Sequence, residues 1–231
     1  PAGDGSDAMV IDYDSAEIGF SVGHALLNVA DFFQVEASFA FTKTSAVPMT
    51  VATGLPRTSL DAGVNNVISQ LRTKAGSYLS SDNGTLEDLP MDAISFGASN
   101  VRVLVGSPDD PFFTLEGIDI AFATFRATNP ALSTLIPRMY AMQAHWDKPL
   151  DEDWGFMKLK VENLDLQLNQ GGKWAGLALA PTIDFAASGG FEVATGGDAV
   201  AFNFEHRTIG VSVGRALLAI DDFIYIEGGF A

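Results

Sequence analysis

Apolar and polar residues alternate with a period of two along most of the chain, the pattern of strands with one dry and one wetter face. Phe33, Val35, Ala37, Phe39 and Phe41 fall on one side, and Gln34, Glu36, Ser38 and Thr42 on the other. Leu164, Leu166 and Leu168 alternate with Asp165 and Gln167. Ile183 and Phe185 flank Asp184, and Val200, Phe202 and Phe204 enclose Ala201 and Asn203. Turn residues punctuate these runs at Ser107-Pro108-Asp109-Asp110-Pro111, Gln170 to Lys173, Ser188-Gly189-Gly190 and Thr195 to Asp198. One segment changes period. Leu60, Val64, Val67, Ile68, Leu71, Ala75, Tyr78 and Leu79 predict a helix over about residues 60–79. Ser59 is its expected N-cap, Asp61 lies in its first turn and Lys74 near its C-terminal end. A shorter helical candidate runs from Pro130 to Ile136 and is closed by Pro137. The expectation is a mainly β fold: an elongated curved or solenoid-like β-sheet with one packed helix covering a face or an end.

The two ends of the chain are alike. Residues 18–40 (IGFSVGHALLNVADFFQVEASFA) and 209–231 (IGVSVGRALLAIDDFIYIEGGFA) match without gaps at 13 of 23 positions, at a constant offset of 191. Asp12-Tyr13-Asp14 faces Asn203-Phe204-Glu205 at the same offset. The expected organisation is one β-rich unit over residues 1–201, of period about 191, and the start of a second copy over 202–231. The second copy stops at Ala231 inside a strand whose counterpart runs on through Phe41, and the chain opens on Pro1, so a piece of a longer tandem array is expected. Phe112 to Gly117 and Leu159 to Asn163 echo Phe32 to Ala37. After the small residue their apolar positions slip by one, which suggests related strands bulged there, or coincidence.

Charge narrows the function classes. With 29 acidic against 13 basic side chains the net charge is −16, the wrong sign for displacing counterions from nucleic acid or docking on anionic lipid. No apolar run reaches the length of a membrane-spanning helix. The chain has no cysteine, which removes disulfides, thiol catalysis and Cys-ligated zinc.

Little catalytic patterning is present. His24, His145 and His206 lack zinc-ligand spacing, and Arg215 stands at the place of His24 in the second copy. Oxygen-rich turns at Asp109-Asp110 and Asp151-Glu152-Asp153 are candidate calcium ligands, above all Asp109, Asp110, Asp151 and Asp153, although none has EF-hand or β-roll spacing. As solvated turns they need no metal, and no cofactor is expected, with calcium the alternative. Glu36 and Glu227 are equivalent in the two copies, with Glu116 and Glu162 as possible relatives, on the wetter strand face. Trp146, Trp154 and Trp174 are candidates for stacking on a ligand.

Asp31-Phe32 and Asp222-Phe223, each followed by a small residue before further Phe-x-Phe or Phe-Ala sequence, resemble the repeats of giant, tandem-repeat bacterial surface or secreted, adhesin-like proteins. The resemblance covers about 30 residues at each end. It implies an extracellular or cell-surface structural module without catalysis, whose partners are neighbouring repeats or other strand edges. The alternative is a carbohydrate- or lipid-binding β module; a polysaccharide hydrolase and a virion or sheath subunit stand further back.

Overall fold

The computed structural model describes residues 16–29, 33–107, 110–146, 148–220 and 224–231. Its strands are β1 (Glu17–Val29), β2 (Phe33–Ala52), β3 (Thr85–Ser107), β4 (Asp110–Ala127), β5 (Met139–Trp146), β6 (Leu150–Asp153), β7 (Met157–Gly171), β8 (Thr182–Asp184), β9 (Phe191–Val193), β10 (Val200–Phe202), β11 (Thr208–Ile220) and β12 (Ile224–Phe230). Two helices interrupt them, α1 (Ala62–Lys74) and α2 (Pro130–Ser133). The fold is mainly β, built on one large antiparallel sheet in the order β1-β2-β3-β4-β5-β7-β11-β12. β6 lies beside β7, β8 beside the far end of β2, and β9 pairs with β10 separately. The sheet is open: among the described residues β1 pairs only with β2, and β12 only with β11.

The alternation read from the sequence holds, with the apolar positions Ile183, Phe185 and Phe202 buried as expected, but along the first half of β2 the covered face is the opposite one. On β2 it is Ser38 and Ala40 that are buried, whereas Phe39 and Phe41 remain half-buried. The core contains Met49, Val51, Leu89, Met91, Ala93, Ala121, Ala123, Phe125, Met139 and Ala141 from the sheet. Val64, Val67, Ile68 and Leu71 of α1 pack on it, with Trp174, Ile183, Phe185, Val193 and Phe202 from the segment that follows β7. Small residues on this face let that segment lie directly on the sheet. A Cβ at Gly97 would collide with the Ala194 carbonyl oxygen, and one at Gly171 with that of Pro181. Periodicity sorts residues by face; the later segment decides which face is covered.

The other face carries the bulky side chains. One cross-strand row runs Phe20, Phe41, Phe96, Phe122, Met142, Leu168 and Ile209 over seven neighbouring strands. The next runs Val22, Phe39, Ala98, Ile120, Ala144, Leu166 and Val211. Phe20 stacks on Phe41 at 5.9 Å between ring centres and meets Phe39 edge-on at 6.1 Å. Neither row contains a charged residue. Phe20, Phe96, Ile209 and Val211 are exposed, because α1, α2, β9 and β10 all pack on the opposite side.

The helices are shorter than their sequence patterns. α1 begins at its N-cap Asp61, not Ser59: the Asp61 carboxylate accepts from the Gly63 and Val64 amides, while the Ser59 hydroxyl accepts from the Asp61 amide. It ends at Lys74 with Ala75 as C-cap, leaving Leu60 fully exposed before it, Tyr78 in the turn beyond and Leu79 in a bridge to Leu86. Gly76 follows the cap, where a Cβ would meet the Arg72 carbonyl oxygen at 2.5 Å. α2 covers only Pro130–Ser133, with Asn129 capping the Ala131 amide.

Candidate functional site

The two similar segments form hairpins at opposite edges of the sheet. In β1–β2, Val22 faces Phe39, Ala25 faces Ala37, Leu26 faces Glu36, Leu27 faces Val35 and the last pair is Val29 with Phe33. In β11–β12, Val213 faces Phe230, Ala216 faces Gly228, Leu217 faces Glu227, Leu218 faces Ile226 and the last pair is Ile220 with Ile224. Each pair in the second set is the first displaced by 191 residues. The register changes at the same place in both, between Val22 and Ala25 and between Val213 and Ala216. Two residues on one strand thus oppose one on its neighbour, as in a β-bulge.

Each bulge turns a basic side chain toward a glutamate. His24 Nδ1 lies 3.3 Å from Glu36 Oε1 in the first hairpin, and Arg215 Nη2 lies 2.7 Å from Glu227 Oε1 in the second. The substitution of Arg for His keeps the interaction. Arg102 on β3 lies 4.0 Å from Glu36 and 2.8 Å from Glu116 on β4, and Lys148, between β5 and β6, lies 3.5 Å from Glu116. At the other edge Arg215 also lies 3.6 Å from Glu162 on β7. In sheet order the ionisable side chains read His24, Glu36, Arg102, Glu116, Lys148, Glu162, Arg215 and Glu227, basic and acidic by turns. The echoes at Glu116 and Glu162 therefore fall in one row with Glu36 and Glu227. Gly117 and Asn163, the small residues that follow them, both have positive φ, +73° and +55°. Asn100 on β3 also has positive φ, and its amide donates to the Asp119 carboxylate at 2.9 Å.

The row borders a cleft on the covered side of the sheet. A space of about 350 Å³ is lined by His24, Glu36, Arg102, Glu116 and Lys148. An adjoining space of about 450 Å³ continues past Ser38, Ser99, Asn100 and Asp119 to the loop Gly196-Gly197-Asp198. Thr195 fastens that loop to the sheet, donating to the Ser99 hydroxyl at 3.0 Å or the Asp198 carbonyl at 2.7 Å, while Ser38 and Ser99 share a 2.7 Å hydrogen bond. Gly196 sits at φ +84°, with room for no side chain: a Cβ would come within 2.7 Å of the Phe39 backbone.

Electrostatics at the second hairpin are coupled through Glu227. Its carboxylate accepts from the Tyr225 hydroxyl at 2.5 Å and from Arg215 Nε at 2.8 Å, and these two bonds hold it below the ordinary glutamate range. The same bonds raise the Tyr225 phenol and the Arg215 guanidinium. Chemically the row links neighbouring strands in the observed register: opposite charges across a strand pair are favourable and like charges are not. Individually such half-exposed pairs contribute little to stability.

The candidate ligands are dispersed. Asp151 pairs with Lys160, and Asp153 lies 2.7 Å from Lys158, whose hydrogen bond, ahead of that from the Gly155 amide, lowers the Asp153 carboxyl. Asp109 and the Asp110 side chain lie outside the described residues, as do Asp12-Tyr13-Asp14, Asp31-Phe32 and Asp222-Phe223. Among the described residues no three His, Cys, Asp or Glu side chains gather as a metal site would require. His145 Nδ1 lies 2.6 Å from Asp165, and His206 lies 3.9 Å from its neighbour Glu205.

The three tryptophans occupy three environments. Trp174 is a core residue, 1% exposed, donating to the Thr53 carbonyl at 2.8 Å. Trp146 is buried at the end of β5 and donates to the Glu116 carbonyl at 3.0 Å. Trp154 is part-exposed and stacks on the exposed Phe112 at 5.7 Å. Sequence reasoning missed Arg102 and Lys148, each a lone cation whose partner lies on another strand. The spacing of the glutamates was the only available signal.

No helix among the described residues is long and apolar enough to cross a membrane. Comparisons with protein-family models, with curated proteins and with solved structures find no match.

Proposed function

We propose that the chain is a structural or adhesive repeat module of a long extracellular or cell-surface protein. One unit of about 191 residues is followed by the first hairpin of the next, and the sheet continues from unit to unit in an elongated, solenoid-like array. The observation that carries this reading is the pair of edge hairpins, which share register, bulge and a contact of a basic side chain with a glutamate. A unit whose edges are copies of one another extends by translation, as stacked repeats do. Net negative charge keeps neighbouring arrays apart and soluble. No catalytic step is assigned.

The test is a longer chain in which residues 41–231 follow Ala231, giving two periods. Small-angle scattering should show a particle lengthened by a second folded unit rigidly continuous with the first. A second unit that stays unfolded, or two globules on a flexible tether, would refute the array. Location is tested separately: antibodies against the chain should label intact, unpermeabilised source cells, and labelling only after permeabilisation counts against a surface role.

A glycan-binding role is the second reading, favoured by the exposed Phe112–Trp154 stack. Flat aromatic surface of this kind suits sugar faces. Binding on a glycan array that disappears in Trp154→Ala would select it.

A further inference from the structure

The duplicated hairpins specify more than the existence of a neighbour. β11 is the copy of β1, and its other side is paired with β7; β2 is the counterpart of β12, and its other side is paired with β3. Each internal pairing therefore shows what the corresponding free edge is built to receive. We infer that the outer edge of β12 receives a strand of the β3 type, residues 95–107 of a following unit, in one register. The β2–β3 pairs Phe33–Val105, Val35–Val103, Glu36–Arg102 and Phe39–Ala98 become Ile224, Ile226, Glu227 and Phe230 opposite those same β3 residues. This inference rests on the tandem reading above and names the contact by which its units join.

Three observations support that edge and that occupant. First, all seven residues of β12 are exposed, whereas most of their β2 counterparts, which have β3 beside them, are part-buried or buried. Second, the sign alternation continues across the junction. Glu227 ends the row, and Arg102 of the incoming strand lands beside it, as Arg102 lies beside Glu36 within the unit. Third, the open apolar face extends without a break: Ile226 meets Val103 and Phe230 meets Ala98 on the side that carries Phe39 and Phe96. The backbone groups along the outside of β12 are the remaining half of the ladder, available for an added strand.

The natural absence of cysteine makes register measurable in the full chain. Ile226, 61% exposed, is replaced by Cys in residues 1–231, and the protein is incubated under a thiol–disulfide buffer with peptides of residues 95–107 carrying one cysteine each. The peptide with Val103→Cys should cross-link at least tenfold faster than peptides with Val101→Cys or Val105→Cys. Adding Arg102→Glu to the Val103→Cys peptide should slow the reaction several-fold. A Phe20→Cys protein, whose cysteine lies on the opposite edge strand, should not react preferentially with the Val103→Cys peptide. Equal rates for the three peptides, equal reaction at Phe20→Cys, or no reaction above a scrambled peptide would each overturn the inference. Its failure is separable from failure of the array. If the two-period chain is rigidly continuous and the peptides do not react, the units join by some other surface; if the peptides react in register and the two-period chain does not fold, the edge is specific but the array is wrong.

Discussion

Glu227 shows at single-residue scale how the outer hairpin is held. Its folded carboxyl lies below the ordinary value of 4.5, chiefly through the Tyr225 hydroxyl and then Arg215. A depressed acid stabilises the fold at pH values above its unfolded pKa, and that stabilisation is lost as pH falls through the folded pKa. The hairpin should therefore be indifferent to pH between neutrality and about pH 5 and loosen below the ordinary glutamate range. Solution NMR of β12 amides gives the readout: wild type should lose chemical-shift dispersion there on acidification, and Glu227→Gln should show no such acid step. An acid step of equal size in Glu227→Gln would assign the transition to other carboxylates. Tryptophan teaches a different lesson at this scale. Trp146, Trp154 and Trp174 look alike in sequence, and only the fold separates a core indole bonded to Thr53 from a surface ring stacked on Phe112.

At the scale of elements, close approach decides what substitutions the sheet tolerates. Gly97 lies under the Ala194 carbonyl, whereas a Cβ at Gly210 on β11 would meet nothing within 4 Å. Gly97→Ala should cost about 1–3 kcal/mol through overpacking. Gly210→Ala should be near neutral, and chemical denaturation of the two variants compares them directly. Equal costs would mean that the 172–204 segment does not rest on the sheet as described. The sequence makes the strands, the helix and the hairpin likeness legible because each is a local period or a repeated string. Which face the core covers is not legible, since Gly97, Ala121 and Ala141 announce a covering segment only once that segment is seen on them. The helix start is ambiguous in the sequence for a related reason: Ser59 and Asp61 are both competent caps, and only the Gly63 and Val64 amide contacts choose Asp61. The charge row was half legible, through Glu36 and Glu227, because cations contributed by other strands leave no spacing in the chain.

For the molecule as a whole, a single sheet has one face built into a core and one left apolar and open. Phe125 and Phe96 are the matched probes, 0% and 43% exposed on neighbouring strands. Phe125→Ala should cost about 3–5 kcal/mol, as for other buried aromatics. Phe96→Ala should cost well under half as much, in proportion to the smaller area withdrawn from water. Thermal or urea unfolding decides between them; comparable losses would show that the open face is covered in solution. Contiguous apolar surface of this breadth also marks a site of association, so Phe96→Ala should reduce binding of a hydrophobic dye. The row of alternating charges has a consequence for how such sheets can grow. It starts with a basic side chain, His24, at β1 and finishes with an acidic one, Glu227, at β12, seven strands later, so the sheet has a direction. Two β12 edges meeting antiparallel would bring acidic termini of the row together, and like charges across a strand pair are unfavourable. The same unit joined in one sense only restores the alternation at every seam. A symmetric dimer through two β12 edges is thereby disfavoured by the same residues, and in the proposed array every unit would point the same way.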